Sequence, residues 1–129
     1  MKKVLIVIAD YYEDISSSLL KSAQKSLKNF SLKVIKVPGV FEIPVVISKN
    51  IKKYDGFIAL GCVIKGETPH FDFICSAATN AIMNLSIDYK KPIGNGIITC
   101  LNIDQGIARS SKKGQEAAKA VLSILGLEK

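Results

Sequence analysis

A few side chains in this sequence are of types, and at spacings, that can do chemistry. His70 is the only histidine in 129 residues, and histidine is the side chain that ordinarily titrates near neutral pH. It closes the stretch Gly66-Glu67-Thr68-Pro69-His70. Threonine is a good helix N-cap and proline is preorganised for a first helical turn, so a helix is expected to start at Thr68. The free N–H groups of that turn, with the helix dipole, favour an anion, and phosphate is a natural guest. Arg109 is the one arginine among eighteen basic residues. Its guanidinium can grip a phosphate through two parallel hydrogen bonds, which an ammonium cannot. Glu42, after the Pro38-Gly39 turn, offers a carboxylate to hydroxyl groups, and Tyr11 offers a flat face to a heterocycle. Each feature also has an ordinary reading: a capped helix, a surface histidine, a first-turn glutamate matched to the helix dipole, a loop tyrosine covering the core. Taken one at a time, both readings stay open.

The elements that must position these groups follow from hydrophobic periodicity. Val4–Ala9 is a continuous apolar run, as in a strand buried on both faces. Ile15, Leu19, Leu20, Ala23 and Leu27 repeat at helical spacing over Asp14–Phe30. Leu32–Val37 alternates with lysine, which predicts a strand with one solvated side. Phe41–Ile51 reads as a second helix with Pro44 in its first turn, where proline is tolerated. Gly56–Ile64 is a third strand and Thr68–Ile87 a long amphipathic helix. Ile93–Leu101 is a fourth strand interrupted by Gly94 and Gly96. Asp104–Arg109 predicts a short helix, and Gly114–Leu125 a last one. Strands alternating with helices imply an α/β fold: a parallel sheet with helices on both faces and right-handed crossovers. Ligands of such sheets bind beyond the carboxyl ends of the strands, near the point where strand order reverses. Tyr11, Glu42, His70 and Arg109 all follow strands, so the pattern gathers them on one edge.

Bulk properties narrow the function. The length predicts one domain over residues 1–129, and 48% hydrophobic residues suffice for a core. A chain this small gains stability from oligomerisation. No apolar run is long enough to span a membrane. Val4–Ala9 is too short for a signal peptide, and tyrosines and acidic residues come after it where a small-residue cleavage site would stand, so the expected location is the cytoplasm. Cys62, Cys75 and Cys100 have no metal or disulfide spacing. The net charge of +7 comes from lysines scattered over expected helix surfaces and loops, with no basic-aromatic stripe, which argues against nucleic acid and fits attraction of anionic substrates. Dinucleotide and P-loop fingerprints are absent. A phospho-receiver aspartate is also missing, since the third strand holds Leu60-Gly61-Cys62 there.

Taken together, PGVFEIP at 38–44, GCVIKGETPHFDFI at 61–74 and NGIITCLNIDQGIAR at 95–109 resemble the signature segments of lumazine synthase, the 6,7-dimethyl-8-ribityllumazine synthase of riboflavin biosynthesis. The resemblance runs from the first strand to the last helix. It implies a three-layer, flavodoxin-like fold with a four-stranded parallel sheet. It also implies condensation of 5-amino-6-ribitylamino-uracil with 3,4-dihydroxy-2-butanone 4-phosphate, without metal or organic cofactor. The implied assembly is a homo-oligomer, a pentamer with sites between neighbouring subunits.

Position by position, the resemblance implies that Tyr11 stacks on the pyrimidine. Val40, Phe41 and Glu42 hold the ribityl chain. The backbone of Cys62, Val63 and Ile64 reads the pyrimidine edge. Glu67 and Thr68 bind the phosphate of the four-carbon substrate, with Arg109 as cationic partner and Lys113 as a second one. His70 is the proton-transfer residue. Asn95 occupies a substrate-facing position where some members of the family carry an aromatic ring. Lys65 stands where the family often has arginine, and the segment Ser110–Gly114 between the two expected last helices is shorter than in several members.

Overall fold

In a computed structural model, residues 1–66 and 70–126 are described. Four strands, β1 (Lys3–Ala9), β2 (Ser31–Val37), β3 (Gly56–Ile64) and β4 (Ile93–Cys100), form one parallel sheet in the order β2-β1-β3-β4. The helices between and after them are α1 (Glu13–Lys25), α2 (Ile43–Asn50), α3 (His70–Tyr89) and α4 (Ile103–Leu125). A 3₁₀ turn, Val40–Glu42, leads into α2, and Pro44 sits in the first turn of that helix, where its missing N–H costs nothing. This is the expected three-layer, flavodoxin-like α/β arrangement. It reverses between β1 and β3: the chain leaves β1 for β2 on one side, then returns to pair β3 on the other.

Alternation along the central strand builds two cores. Val4, Ile6 and Ile8 point into one, with Ile15 and Leu19 of α1 and Ala117, Ala118 and Val121 of α4. Leu5, Val7 and Ala9 point into the other, with Ile43 and Ile47 of α2 and Ala78 and Ile82 of α3. Helices α1 and α4 therefore cover one face of the sheet, and α2 and α3 the other.

The structure corrects one expectation outright. Residues 104–125 are not two helices: α4 is continuous from Ile103 to Leu125, capped by the Asn102 side chain, which accepts from Gln105 N–H at 3.0 Å. Its two internal glycines mark close packing instead of breaks. A side chain at Gly114 would run into the Leu19 carbonyl and the Ser22 hydroxyl of α1. One at Gly106 would lie 2.6 Å from Ile15 Cδ1 and 3.2 Å from Cys62 Sγ. Ser110–Gly114 is thus a stretch of helix.

Helix α3 departs from expectation in another way. Of its apolar residues only Ala78 and Ile82 are buried, while Phe73, Met83 and Ile87 are 70%, 57% and 63% exposed. The helix is apolar around most of its circumference, yet packs on the sheet along a narrow stripe. It ends where Lys90 adopts a left-handed conformation (φ 55°) and Lys91 N–H bonds back to the Ser86 carbonyl, a Schellman closure. Among the described residues no helix is long and apolar enough to cross a membrane.

Candidate active site

A cleft of about 680 Å³ opens at the carboxyl ends of β1 and β3, where the strand order reverses. That is the place and the size expected of a small-molecule site. The loop after β1 contributes Tyr11 and Tyr12, the turn after β2 contributes Gly39 to Glu42, the end of β3 contributes Cys62 to Ile64, and the first turns of α3 contribute His70 and Ile74. Eight residues expected from the sequence thus converge: Tyr11, Val40, Phe41, Glu42, Cys62, Val63, Ile64 and His70.

Small residues make the convergence possible. A side chain at Gly61 would meet Val40 Cγ2 at 2.8 Å and Ala9 Cβ at 3.2 Å, so glycine there lets the 3₁₀ turn settle onto the ends of β1 and β3. At Gly39 a Cβ would lie 3.1 Å from Glu42 Oε1. The Glu42 carboxylate therefore turns back over Gly39 and faces the cleft with no salt-bridge partner among the described residues. Phe41 is 58% exposed at the rim. His70 is the first residue of α3 and is exposed to solvent, free to meet a ligand.

The loop after β1 is firmly held. Ser16, one of two buried polar side chains among the described residues, donates its hydroxyl to the carbonyls of Ala9 (3.1 Å) and Tyr12 (2.9 Å). Its own N–H bonds to the Tyr12 carbonyl as well, at 2.9 Å. Asp10 N–H reaches the Val37 carbonyl. Tyr12 is the N-cap residue of α1 in extended conformation. Its ring lies against Tyr11 at a centroid distance of 4.9 Å and an interplanar angle of 14°, a stacked pair. Tyr12 also packs on the core shared by α1 and α4. Tyr11, by contrast, is 70% exposed. Sequence reasoning singled out Tyr11 and passed over Tyr12; the doubled tyrosine was the available signal.

Beneath the cleft lie two thiols. Cys62 Sγ and Cys100 Sγ are 3.7 Å apart, both buried, and Cys100 Sγ lies 3.3 Å from the Asn102 carbonyl oxygen. Burial, then the hydrogen bond to Cys100, pushes the Cys62 thiol up to about 12. Burial also raises the Tyr12 hydroxyl. The Cys62 thiol and the Tyr12 hydroxyl are therefore held neutral, suited to packing and not to nucleophilic attack.

Other expected residues lie elsewhere. Arg109 is on α4, on the opposite face from α3, with its Nη1 donating to the Thr99 carbonyl at 3.3 Å. Asn95 is exposed on the edge strand β4, its Oδ1 accepting from Ile97 N–H at 3.0 Å. Lys113 is half-buried in the middle of α4. None of the three lines the cleft, whose described lining has no lysine or arginine. Glu67 and Thr68, the expected phosphate turn, lie outside the described residues.

Comparison with known sequences adds to this geometry. The profile of a protein family described as 6,7-dimethyl-8-ribityllumazine synthase matches residues 1–129. A protein of that name from Bartonella tribocorum is 43% identical over 135 residues, covering 98% of this chain and 89% of the relative. One from Agrobacterium fabrum is 41% identical over 139 residues, covering 98% and 94%. A third, from Ruthia magnifica, is 37% identical over 141 residues, covering 97% and 84%. Among solved structures, a de novo designed Rossmann fold protein aligns with a TM-score of 0.47 at 14% identity, covering 90% of this chain and 100% of that one.

Proposed function

Because the chain belongs to the 6,7-dimethyl-8-ribityllumazine synthase family, enzymes of riboflavin biosynthesis, we propose that it condenses 5-amino-6-ribitylamino-uracil with 3,4-dihydroxy-2-butanone 4-phosphate. The observation that carries this reading is the meeting of an open tyrosine face, an unpaired carboxylate and the only histidine in one cleft. A flat pyrimidine suits Tyr11. A polyol suits Glu42, whose carboxylate accepts hydroxyl hydrogen bonds. The strand-end backbone of Cys62, Val63 and Ile64 supplies fixed donors and acceptors for the pyrimidine edge, and Val40 and Phe41 wall the ribityl chain.

The 5-amino group attacks the ketone to give a carbinolamine, which loses water to an imine. Elimination of phosphate leaves an enol that tautomerises to a methyl ketone, and attack of the ribitylamino nitrogen on that ketone, with loss of a second water, closes the ring. Each step moves protons, and His70 is the imidazole that the cleft offers to shuttle them. Holding the two substrates together supplies much of the acceleration.

The phosphate end of the site is completed by a second copy of the chain in a cytoplasmic homo-oligomer, a pentamer with sites between subunits. Three features support this. The described lining has no lysine or arginine for a phosphate, Arg109 and Asn95 sit at the edge strand β4 outside the cleft, and α3 leaves Phe73, Met83 and Ile87 uncovered. Glu67 and Thr68 are assigned to the phosphate on the same reading, with Arg109 and Lys113 from the neighbour, and Asn95 facing the neighbour's pyrimidine.

The test mixes protein with both substrates and follows lumazine fluorescence and released phosphate together. Intact, oligomeric protein that makes neither product refutes the assignment. Site sharing has its own test. His70→Ala and Arg109→Ala proteins, each impaired, are unfolded together and refolded at equal amounts. If His70 and Arg109 of one site come from different chains, about a quarter of the sites regain both wild-type residues by random assortment in a closed ring. If both come from one chain, no site does.

A further inference from the structure

Tyr12, which the proposed reaction does not use, is half-buried: it packs on the core on one side and stacks on exposed Tyr11 on the other. We infer that Tyr12 is a positioning residue: it fixes the plane of Tyr11 so that the outer face of that ring is presented to the flat heterocycle. This rests on the proposed function, because it assumes that a pyrimidine or lumazine ring docks on Tyr11.

An exposed tyrosine on a loop turns about two side-chain torsions, and a ligand that stacks on it must first stop that motion. Here the ring is already flanked. Tyr12 lies parallel to it at 4.9 Å and 14°. Tyr12 in turn is restrained, because its half-buried ring packs against the core that α1 and α4 form with β1, β3 and β4. Its backbone is pinned as well: its carbonyl receives both the hydroxyl and the amide of buried Ser16. The order that begins in the helix packing is passed through one ring to the next. Tyr11 then binds with less orientational freedom left to lose, and its unstacked face is the one open to ligand.

The inference separates ring from hydroxyl and stacking from bulk. Tyr12→Phe keeps the ring and should bind lumazine within about twofold of the unaltered protein. Tyr12→Leu keeps apolar bulk in the core but loses the flat partner. It should raise the Kd for ribityllumazine, read by quenching of its fluorescence, roughly two- to tenfold, the range that one stacked aromatic pair supplies. In turnover the same variant should raise KM for the pyrimidine and leave KM for the butanone phosphate unmoved. Equal lumazine affinity in folded Tyr12→Leu and unaltered protein overturns the inference.

Should Tyr12→Leu not fold, the unaltered protein decides. In selectively labelled protein the Tyr11 and Tyr12 ring protons should show mutual NOEs that persist when lumazine is added. Absence of those NOEs with or without ligand overturns the inference. Failure of the parent reading looks different: unaltered protein then neither turns over the substrates nor quenches lumazine, while the ring-to-ring NOEs are still measurable.

Discussion

Replacing Gly114 with alanine separates a helix break from a helix contact. Between two helices, alanine would extend the structure and stabilise it, by up to about 1 kcal/mol from helix propensity. In the continuous α4 the same methyl group must enter the crossing with α1. It would overlap the Leu19 carbonyl oxygen and the Ser22 hydroxyl, with the Leu19 carbonyl carbon 3.2 Å away. Ser22 can rotate aside at the cost of its 3.1 Å bond to the Leu19 carbonyl. The carbonyl is main chain and moves only if the helix does. Overpacking of this kind costs about 1–3 kcal/mol, and a backbone clash belongs in the upper part of that range. Subtracting the propensity gain leaves a net loss of about 1–2 kcal/mol. In a domain of this size that lowers Tm by about 4–8 °C. Melting followed by circular dichroism at one fixed protein concentration measures it, since assembly makes Tm concentration-dependent. Gly126→Ala is the internal control. Gly126 has a right-handed helical φ of −66°, and its nearest crowding is the Leu122 carbonyl oxygen of the preceding turn at 3.3 Å. Alanine there should be neutral or stabilising by about 0.5 kcal/mol. A Gly114→Ala protein that melts at or above the unaltered one would show that α1 and α4 do not cross in contact at this point.

Other outcomes concern the cleft. His70→Ala should lower kcat by about tenfold to a hundredfold without abolishing turnover, because proximity survives the loss of a proton shuttle; an unchanged rate across about pH 6–8 would remove His70 from that role. Arg109→Lys keeps the charge and loses the fork, so KM for the butanone phosphate should rise about tenfold while KM for the pyrimidine stays put; steady-state kinetics with each substrate varied in turn decides it. Cys62 holds its proton more tightly folded, at about 12 against an ordinary value of 9.0. The unfolded chain therefore deprotonates first, and stability present below about pH 9 should be lost as pH rises toward 12. Urea melts at about pH 8 and about pH 10.5 should show this loss, and Cys62→Ala should reduce the difference.

Much of this was legible in the sequence because strands buried on both faces announce themselves. The run Gly56–Ile64 has the same bounds in sequence and structure, since apolar residues continue for the whole length of the strand. Tyr11, Glu42 and His70 could be placed at one edge because residues that follow successive parallel strands share an end of the sheet. The failures were of another kind. Gly114 looks like a stop signal from local propensity, and only the distant α1 backbone shows it to be a notch for another helix. Helix α3 has the periodicity of an ordinary core helix, but a sequence does not say how wide a stripe of it the sheet covers. Arg109 stood out by its rarity, and whether it serves its own cleft or a neighbour's depends on which face α4 takes, which the sequence alone does not say. Tyr12 differs from Tyr11 only in the direction its ring leaves the chain, which the N-cap conformation of α1 sets.

The burial of β1 also bears on how the molecule opens. Val4 to Ile8 are at most 1% exposed, and the strand is bonded to β2 on one side and β3 on the other. Neither helical layer can peel away and free it. Its amides can reach solvent only when the whole domain opens, so their deuterium uptake should be the slowest in the chain and should report the full unfolding free energy. Ala9, at the floor of the cleft, ends this strand, and exposed Tyr11 follows two residues later. Within that span main-chain protection should fall from its maximum, so the exposed Tyr11 ring stands directly on the last part of the fold to open.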